Sequence, residues 1–297
     1  MTKNRLAVIV PHYKRKEVTK LCLKRLEEQQ QKFGFEVFTS GDYTTQFNNV
    51  PCNNLPVGNK NNTLLQAAKG YDGVMIVGSD NFLSDSIFEL YGKIDLTQKV
   101  YYGFDNVHFY SAWHKKLGSN IDYTKIGNTV GVARLWTKPT LEAMDYKLWT
   151  RTLNSGLDTD SKANMRRKKI REVALPYGEG KHFILDVKVD GNITNPAIVN
   201  TCDKFYEISL LEAQLGPIAK EILALKTGVK MINNLKYEQE AAIAVKFIVE
   251  AAGMAPGTIK HVPVKFANSF VERGIAIYYD EPKKINFVAK IKDFLSI

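Results

Sequence analysis

The stretch Gly73-Val74-Met75-Ile76-Val77-Gly78-Ser79-Asp80-Asn81-Phe82-Leu83, "GVMIVGSDNFL", decides the fold that the sequence predicts. Its first half is a continuous apolar run, which is typical of a strand buried on both faces of a sheet. The run ends at Asp80, so an acid would lie at the carboxyl end of that strand. Open α/β sheets bind ligands at this edge, but Asp and Asn are also ordinary turn residues. Asp80 is therefore either a ligand-binding acid or a turn residue, and its neighbours in the fold decide which.

The segments on either side of this stretch alternate between strand and helix patterns. The predicted elements are, in order, a strand at 5–10, a helix from about 14 to 33 ending at Gly34, a strand at 35–39, a short helix capped by Gly70, and a strand at 74–77. This order predicts an α/β fold with a mostly parallel central sheet and right-handed crossovers.

The second half of the chain differs in its pattern of predicted elements. The predicted elements are a strand pair at 99–110, helices at 137–149 and 158–171, amphipathic helices at 203–227 and 236–252, β-like runs at 259–266 and 274–279, and a terminal helix at 284–296. We therefore expect one domain at residues 1–200 and a smaller, mainly helical module at residues 201–297.

The composition is that of a globular protein with an excess of positive charge. The chain has 297 residues, 44% hydrophobic, and a net charge of +10. Residues 1–200 hold 28 lysines and arginines against 20 acids, so they carry +8 of that charge. The densest cationic cluster comprises Arg166, Arg167, Lys168, Lys169 and Arg171. Such a cluster either attracts a polyanion or forms a solvated helix face.

The sequence predicts neither a membrane span nor a secreted protein. No apolar run approaches the roughly 18 residues that cross a bilayer. The apolar run at residues 6–10 is too short for the core of a signal peptide. The three cysteines are scattered and indicate neither a disulfide framework nor a zinc site. We therefore expect a cytoplasmic protein in a reducing environment.

Several common enzyme motifs are missing. The segment "GNKNNT" at 58–63 lacks the spacing of a phosphate-binding Walker loop, and no GxGxxG follows the first strand. The chain also contains no GxSxG nucleophile elbow and no HExxH zinc motif. These absences count against nucleotide hydrolases of the Walker type, dinucleotide-dependent dehydrogenases and two large classes of hydrolase.

An ordered series of weaker motifs resembles family 2 glycosyltransferases of the GT-A fold. The series consists of "AVIVPHYKR" at 7–15, "TSGD" at 39–42 and "GNKNNTLLQAAKGYDGVMIVGSDNFLS" at 58–84. In that family a strand ending in Pro-x-Tyr is followed by an acid that contacts the base, and a later strand ends in an Asp-x-Asp motif. The resemblance covers residues 5–190 and implies transfer of a sugar from a nucleotide-diphosphate sugar, most simply a UDP-sugar.

The resemblance implies a role for each matching residue on the nucleotide side. Pro11, His12 and Tyr13 would line the base and ribose, and Asp42 would bond the base. Lys60 and Asn61 would lie near the ribose and diphosphate, beside Ser79 and Asp80.

The same resemblance implies a divalent cation, Mn²⁺ or Mg²⁺, held by Asp80. Such a cation neutralises the diphosphate that leaves. Gly78 stands where the first acid of the motif belongs, which is a departure from the family pattern. His182 is the candidate for a further metal ligand and Asp186 is the reserve; a lone histidine is otherwise a surface or core residue.

The segment "SGLDTDSKANMRR" at 155–167 resembles the part of the family that carries the general base. Asp158 takes the position of the base, which would deprotonate the acceptor hydroxyl, and Asp160 is the competing candidate. Both acids would also suit the first turn of a helix, where carboxylates are common. One base without a paired nucleophile implies transfer with inversion.

The acceptor is predicted from charge alone. The cationic cluster suits a polyanion, and one specific possibility is DNA with a hydroxymethylated pyrimidine, as in bacteriophage DNA modification, with the enzyme virus-encoded. Protein, lipid-linked and soluble glycan acceptors stay open. Such a base would have to be flipped out of the duplex. The alternatives are a nucleotidyltransferase, which the missing glycines in "PHYKRKE" oppose, and a non-catalytic nucleic-acid-binding protein.

Overall fold

The computed structural model describes residues 4–119, 129–177, 181–189, 196–225, 242–247, 256, 259–263 and 276–278. The chain divides into two compact units, residues 1–228 and 229–297. In the first unit the strands are β1 (Leu6–Pro11), β2 (Glu36–Ser40), β3 (Asn48–Asn49), β4 (Gly73–Ile76), β5 (Asn81–Leu83), β6 (Val100–Phe104), β7 (His108–Ser111), β8 (Lys116–Ser119), β9 (Leu135–Thr137), β10 (Arg171–Leu175), β11 (Ile184–Lys188) and β12 (Lys204–Tyr206). The helices are α1 (Lys16–Phe33), α2 (Val57–Ala67), α3 (Asp85–Tyr91), α4 (Lys138–Ala143), α5 (Leu157–Arg167), α6 (Ser209–Leu215) and α7 (Ile218–Leu223), with a 3₁₀ helix at Pro196–Thr201.

The central sheet has seven strands in the order β10-β6-β9-β4-β1-β2-β3. Strand β1 lies parallel to both β2 and β4, and β6 lies parallel to β10. Only β9 runs antiparallel to its neighbours β4 and β6. The predicted α/β fold with a mostly parallel central sheet is therefore confirmed.

Helices cover both faces of the central sheet, which explains the continuous apolar character of β1. Val8 and Val10 face α1 and its buried residues, whereas Ala7 and Ile9 face Leu64 and Leu65 of α2. Successive side chains of a strand point to opposite faces, so both faces must be apolar when both are covered. Helix α1 ends at Gly34, whose φ of 71° is left-handed, as the predicted glycine cap requires.

A second sheet of five strands has the order β12-β8-β7-β11-β5. Strand β5 follows β4 directly in sequence and pairs antiparallel with β11, so that Asn81 lies opposite Asp186. The stretch 73–83 therefore passes from one sheet to the other at Gly78–Asp80. This crossing places residues of β11 next to the end of β4.

Several predicted elements are wrong in extent or type. The basic helix predicted over 158–171 ends at Arg167, because Lys169 adopts a left-handed φ of 53° and the chain then enters β10. The helix predicted over 137–149 ends at Ala143. In its described part, 203–225, the helix predicted over 203–227 is a strand and two short helices, interrupted at Gly216 with φ of 67°.

The boundary between the units lies after residue 228, whereas the sequence placed it near residue 200. Leu211, Leu215 and Ile222 belong to the main buried cluster of the first unit, which accounts for the difference. In the second unit, β13 (Ala242–Phe247), β14 (Ile259–Pro263) and β15 (Ala276–Tyr278) form an antiparallel sheet of order β14-β13-β15. The helix predicted over 236–252 is therefore wrong at 242–247, and the helix predicted at 284–296 lies outside the described residues.

Within the described ranges, every helix is too short or too polar to cross a bilayer.

Candidate active site

The candidate site lies where three parallel strands of the central sheet end together. Strands β1, β2 and β4 are neighbours with the same direction, so their carboxyl ends meet at one edge. At that edge lie Pro11, the last residue of β1, with His12 and Tyr13, then Gly41 and Asp42 after β2, and Gly78, Ser79 and Asp80 after β4. The parallel pairing thus brings together the side chains that the sequence assigned to the nucleotide.

His12 and Asp42 form the end of the site nearest β2. The imidazole of His12 is 2% exposed, and its Nδ1 lies 3.5 Å from Asp42 Oδ1. The other carboxylate oxygen of Asp42 accepts a hydrogen bond of 3.0 Å from the backbone N–H of Lys14. Burial lowers the pKa of His12 more than the charge of Asp42 raises it, so a neutral imidazole is favoured at pH 7.

Gly41 leaves the room that the buried imidazole needs. A Cβ at this position would lie 2.0 Å from His12 Nδ1, well inside van der Waals contact. The imidazole also lies against Tyr43, with 4.5 Å between ring centroids. His12 thus contacts both the β2 turn and an aromatic ring.

Helix α2 contributes Lys60 and Asn61 from its second turn. Lys60 Nζ donates to the carbonyl of His12 at 3.0 Å and to Asn54 Oδ1 at 2.9 Å, and it lies 5.7 Å from the ring centroid of Tyr13. Burial lowers the pKa of Lys60. Asn61 is 2% exposed, and its Oδ1 has no hydrogen-bond donor among the described residues. Lys60 therefore stabilises the carboxyl end of β1, and the Asn61 side-chain oxygen is available to accept a hydrogen bond.

Asp80 is paired with an arginine that the sequence did not assign to the site. The guanidinium of Arg15 forms an ion pair with the Asp80 carboxylate and also lies 3.2 Å from Ser79 Oγ. The side chains of Arg15 and Asp80 are 17% and 11% exposed, so the pair is mostly shielded from solvent. Arg15 comes from the turn between β1 and α1, shortly after His12 and Tyr13.

A second carboxylate reaches the same place from β11. Asp186 is buried, and its Oδ2 accepts a hydrogen bond of 2.6 Å from Lys188 Nζ. Its Oδ1 makes no hydrogen bond to any described residue. Burial and the negative charge of Asp80 raise the pKa of Asp186 to about 6. Asp80 and Asp186 thus form a close pair of acids, each with its own basic partner.

His182 does not join these acids. It lies just before β11, at the end of the β5–β11 pair away from Asp80, and its Nδ1 is 3.2 Å from Ser86 Oγ. Its ring is 5.5 Å from the ring of Phe104. The reserve candidate, Asp186, is the residue that the fold places beside Asp80.

Asp158 lies at the same edge of the sheet as Asp80. The segment before β9 runs beside the end of β4, where Ala133 N–H donates to the carbonyl of Ile76 at 3.1 Å. Gly131 of this segment is in direct contact with the Asp158 carboxylate, since a Cβ there would lie 1.9 Å from Asp158 Oδ1. Asp158 itself is exposed and open to solvent. Its geometry therefore suits a base that works on a bound acceptor.

Asp160 is committed to holding a loop. Its carboxylate accepts hydrogen bonds from the backbone N–H and the hydroxyl of Thr150, at 2.6 and 3.0 Å. The same loop docks the start of α2, because Leu153 O accepts the Gly58 N–H at 2.9 Å. Asp160 thus holds the loop that docks the helix carrying Lys60 and Asn61.

A buried polar network anchors the start of α5. Arg134, 1% exposed, donates to Ser161 Oγ at 3.1 Å and to two backbone carbonyls of the segment that contacts Asp158. Glu172 pairs with Lys162 at 3.2 Å and accepts a hydrogen bond from the Thr129 N–H at 2.9 Å. These contacts fix Asp158 relative to the edge of the sheet.

The cationic cluster lies away from this edge. Helix α5 begins at the site and runs back along the sheet for 11 residues, about 16 Å at 1.5 Å per residue. Arg166, Arg167, Lys168 and Lys169 are exposed at its far end, and Arg171 begins β10 opposite Val100. The cluster and Asp158 are therefore at opposite ends of one helix.

Sequence reasoning missed Arg15 and Lys188 as parts of the site. Arg15 lies between Lys14 and Lys16, and a run of three cations is typical of a solvated surface. A signal for Lys188 was present, because Asp186 and Lys188 are two residues apart in an apolar strand and must share one face. A buried acid and base on one strand face indicate a paired polar site.

Comparison with known proteins gave matches only among solved structures. Neither a protein-family model nor a curated protein matches the sequence.

Three of the similar solved structures are glycosyltransferases. A Drosophila galactosyltransferase 7 mutant in complex with manganese, UDP-galactose and xylobiose is 14% identical, with a TM-score of 0.42 over 67% of this chain and 74% of that chain. A glycosyltransferase involved in glycosylation of the major capsid of PBCV-1 is 13% identical, with a TM-score of 0.40 over 66% and 98%. A mannosyltransferase from Pyrobaculum calidifontis in complex with GDP-mannose and Mn²⁺ is 14% identical, with a TM-score of 0.44 over 63% and 57%. All three TM-scores lie below 0.5, so each superposition is partial.

Proposed function

We propose that this protein is a glycosyltransferase that moves a sugar from a nucleotide-diphosphate sugar to an acceptor hydroxyl. The observation that carries the proposal is the placement of Asp80 at the end of β4, beside Asp186 and in line with His12 and Asp42 at the neighbouring strand ends. The carboxyl edge of a parallel sheet is where open α/β folds bind ligands. The order of residues along the edge matches a ligand with a base at one end and a diphosphate at the other.

The base end favours a nucleobase with a ring N–H. Asp42 offers only acceptor oxygens when it is ionised. Burial raises the pKa of Asp42, but hydrogen bonds from its surroundings outweigh burial and hold that pKa below the usual value. Uracil, thymine and guanine carry a ring N–H that such a carboxylate can accept, whereas cytosine does not. We therefore expect binding of UDP, dTDP or GDP to exceed that of CDP.

The residues near Asp80 fit a divalent cation of the Mg²⁺ or Mn²⁺ type. Among the described residues no group of three or more His, Cys, Asp or Glu side chains converges. Hard cations are nevertheless often held by one or two carboxylates, with phosphate oxygens and water as the other ligands. Asp80 and Asp186 supply two carboxylates, and Asp186 Oδ1 is a buried acceptor to which no described residue donates a hydrogen bond. When bound, the cation would stabilise negative charge on the departing diphosphate.

Asp158 is the proposed general base. Its carboxylate is exposed, rests against Gly131 and lies at the edge that carries Asp80. It would take the proton of the acceptor hydroxyl as the oxygen attacks the anomeric carbon. No second carboxylate stands beside it as a nucleophile in the described part of the site, since Asp160 is occupied by Thr150. This arrangement supports a single displacement, which inverts the anomeric configuration.

The proposed acceptor is a polyanion, with hydroxymethylated DNA of the bacteriophage type as the specific candidate. The five exposed cations of the 166–171 cluster support binding of phosphates. Because the cluster lies a helix length from Asp158, a bound duplex would have to extend across α5 to reach the site. A neutral glycan acceptor would make no use of the cluster, so salt dependence separates the two.

Calorimetric titration of UDP, dTDP, GDP and CDP, with and without Mn²⁺, tests the donor half of the proposal. Asp80→Ala should weaken nucleotide binding and abolish the effect of Mn²⁺, while the circular dichroism spectrum stays unchanged. Asp85→Ala is the matched control, because Asp85 is also a partly shielded acid in ion pairs, with Arg25 and Lys32, but lies in α3 outside the site. Binding of UDP that is independent of both Mn²⁺ and Asp80 would falsify the proposed role of this edge.

A further inference from the structure

Arg15 lies where the proposed cation would have to reach Asp80. Its guanidinium contacts the Asp80 carboxylate and Ser79 together, and the pair is mostly shielded from solvent. Its backbone is fixed at the start of α1, where the Arg15 carbonyl accepts bonds from the N–H and hydroxyl of Thr19. Only the side chain therefore needs to move for Asp80 to become available.

The charges of the site already balance before any ligand arrives. Arg15 neutralises Asp80, and Lys188 neutralises Asp186 at 2.6 Å. A divalent cation alone would add two positive charges next to Arg15 in a poorly hydrated place, where like charges repel strongly. A nucleoside diphosphate brings compensating negative charge and also offers the guanidinium a new partner, since arginine suits phosphate oxygens.

We propose that Arg15 is a latch on Asp80 that makes binding of the divalent cation depend on the nucleoside diphosphate. The inference rests on the proposed function. Without a donor, Arg15 holds Asp80; when the diphosphate arrives, the guanidinium transfers to it and Asp80 turns to the cation. Because coupling between two ligands is reciprocal, the cation raises affinity for the diphosphate by the same factor.

The ion pair between Arg25 of α1 and Asp85 is a comparison, because it is a purely structural pair. Arg25 lies 2.6 Å from Asp85, and the same carboxylate also accepts hydrogen bonds from Gln29 and Lys32. Asp85 is thereby saturated by residues of α1 alone. Beside the Arg15–Asp80 pair, in contrast, lies a buried carboxylate oxygen of Asp186 that no described residue contacts by a hydrogen bond.

The test is the affinity for Mn²⁺ with and without UDP, measured by electron paramagnetic resonance of the free ion. In the wild type, UDP should tighten Mn²⁺ binding at least about tenfold, which corresponds to about 1.4 kcal/mol. Arg15→Gln should bind Mn²⁺ without UDP at least about tenfold more tightly than the wild type and should gain little from UDP. Arg15→Lys, which keeps the charge, should retain weak binding without UDP, and the control Arg25→Gln should behave as the wild type.

Each result decides a different part of the inference. If Arg15→Gln binds Mn²⁺ alone no better than the wild type, the latch is wrong and the proposed function is untouched. If UDP binds but Mn²⁺ binds to no variant even in the presence of UDP, the proposed cation site and the latch are both wrong, whereas the proposed nucleotide site is unaffected. Should Arg15→Gln fail to fold, the wild type alone still decides, because coupling between UDP and Mn²⁺ below tenfold overturns the latch.

Discussion

Replacing Gly41 by alanine is expected to displace His12 and to weaken nucleotide binding. The added Cβ would lie 2.0 Å from His12 Nδ1 and 2.2 Å from its Cε1, whereas carbon contacts require about 3.5 Å. The imidazole cannot turn away freely, because it is 2% exposed and packs on Tyr43. Overpacking of this kind typically costs about 1–3 kcal/mol of stability. We expect that loss, and at least about tenfold weaker UDP binding, since tenfold corresponds to about 1.4 kcal/mol.

Urea unfolding and calorimetric titration with UDP measure the two effects separately. His12→Ala is the essential partner variant, because it removes the ring that the new methyl group would strike. The double variant Gly41→Ala/His12→Ala should be about as stable as His12→Ala alone, so the two effects should not add.

Two results would show that Gly41 is not the residue that makes room for His12. One is a Gly41→Ala variant that unfolds at the wild-type urea concentration and binds UDP with wild-type affinity. The other is full additivity of the two substitutions in the double variant.

Three further predictions concern the base, the network behind it and the cationic cluster. Asp158→Asn should keep UDP affinity and lower the rate of sugar transfer at least about 100-fold, whereas Asp160→Asn should be milder in transfer and lose about 1–3 kcal/mol of stability; the reverse order would show that the base is misassigned. Although burial opposes it, hydrogen bonds from Thr129 and Tyr101 and the charge of Lys162 hold the pKa of Glu172 below its usual value. The ionised form therefore stabilises the fold above the unfolded pKa of about 4.3, and this contribution is lost as the pH falls through the lower folded pKa. Unfolding free energies of the wild type and Glu172→Gln should thus differ at pH 7 and converge in acid, and a gap that stays constant down to pH values of about 3 contradicts this. Five phosphate contacts by the cationic cluster would give a log–log salt slope of about −4 to −5 on duplex DNA, and Arg166/Arg167/Lys168→Ala should reduce its magnitude by about 3. DNA binding that is undetectable at low salt, or unchanged by the triple substitution, removes DNA as the acceptor.

The grouping of the residues proposed to bind the nucleotide was predictable because it depends on strand ends alone. In a parallel sheet the residues after each strand meet at one edge, so recognising β1, β2 and β4 was enough to bring Pro11, Asp42 and Asp80 together. The long apolar runs and the glycine after α1 mark these elements clearly. No knowledge of distant pairings was needed.

The neighbours of Asp80 were less predictable because they come from distant parts of the chain. Asp186 reaches the site through the antiparallel pairing of β11 with β5, which joins segments about 100 residues apart and leaves no local pattern. Arg15 lies in a run of three cations, so its pairing with Asp80 could not be told from a solvated surface. His182 was preferred over Asp186 by residue type, whereas the pairing of β11 with β5 brings Asp186, and not His182, opposite Asn81 next to Asp80.

Two segments show where local pattern and fold disagree. Residues 168–171 continue a basic helix pattern, but the left-handed Lys169 turns the chain into β10, whose position depends on pairing with β6. Residues 242–247 read "AIAVKF", a short apolar run that periodicity alone cannot assign to helix or strand. The pairing of β13 with β14 and β15 makes it a strand.

The missing first acid of the Asp-x-Asp motif has a physical explanation in the crossing between the two sheets. The N–H of Gly78 donates to Asn81 Oδ1 at 2.8 Å, and the Asn81 N–H donates to the Gly78 carbonyl at 2.9 Å. A Cβ at residue 78 would lie 2.4 Å from that amide oxygen, so an aspartate there would disrupt the turn that leads β4 into β5. The same turn starts β5, and the pairing of β5 with β11 then delivers Asp186 beside Asp80. The second carboxylate beside Asp80 therefore comes from the neighbouring strand β11 rather than from residue 78. This arrangement requires the turn that Gly78 allows.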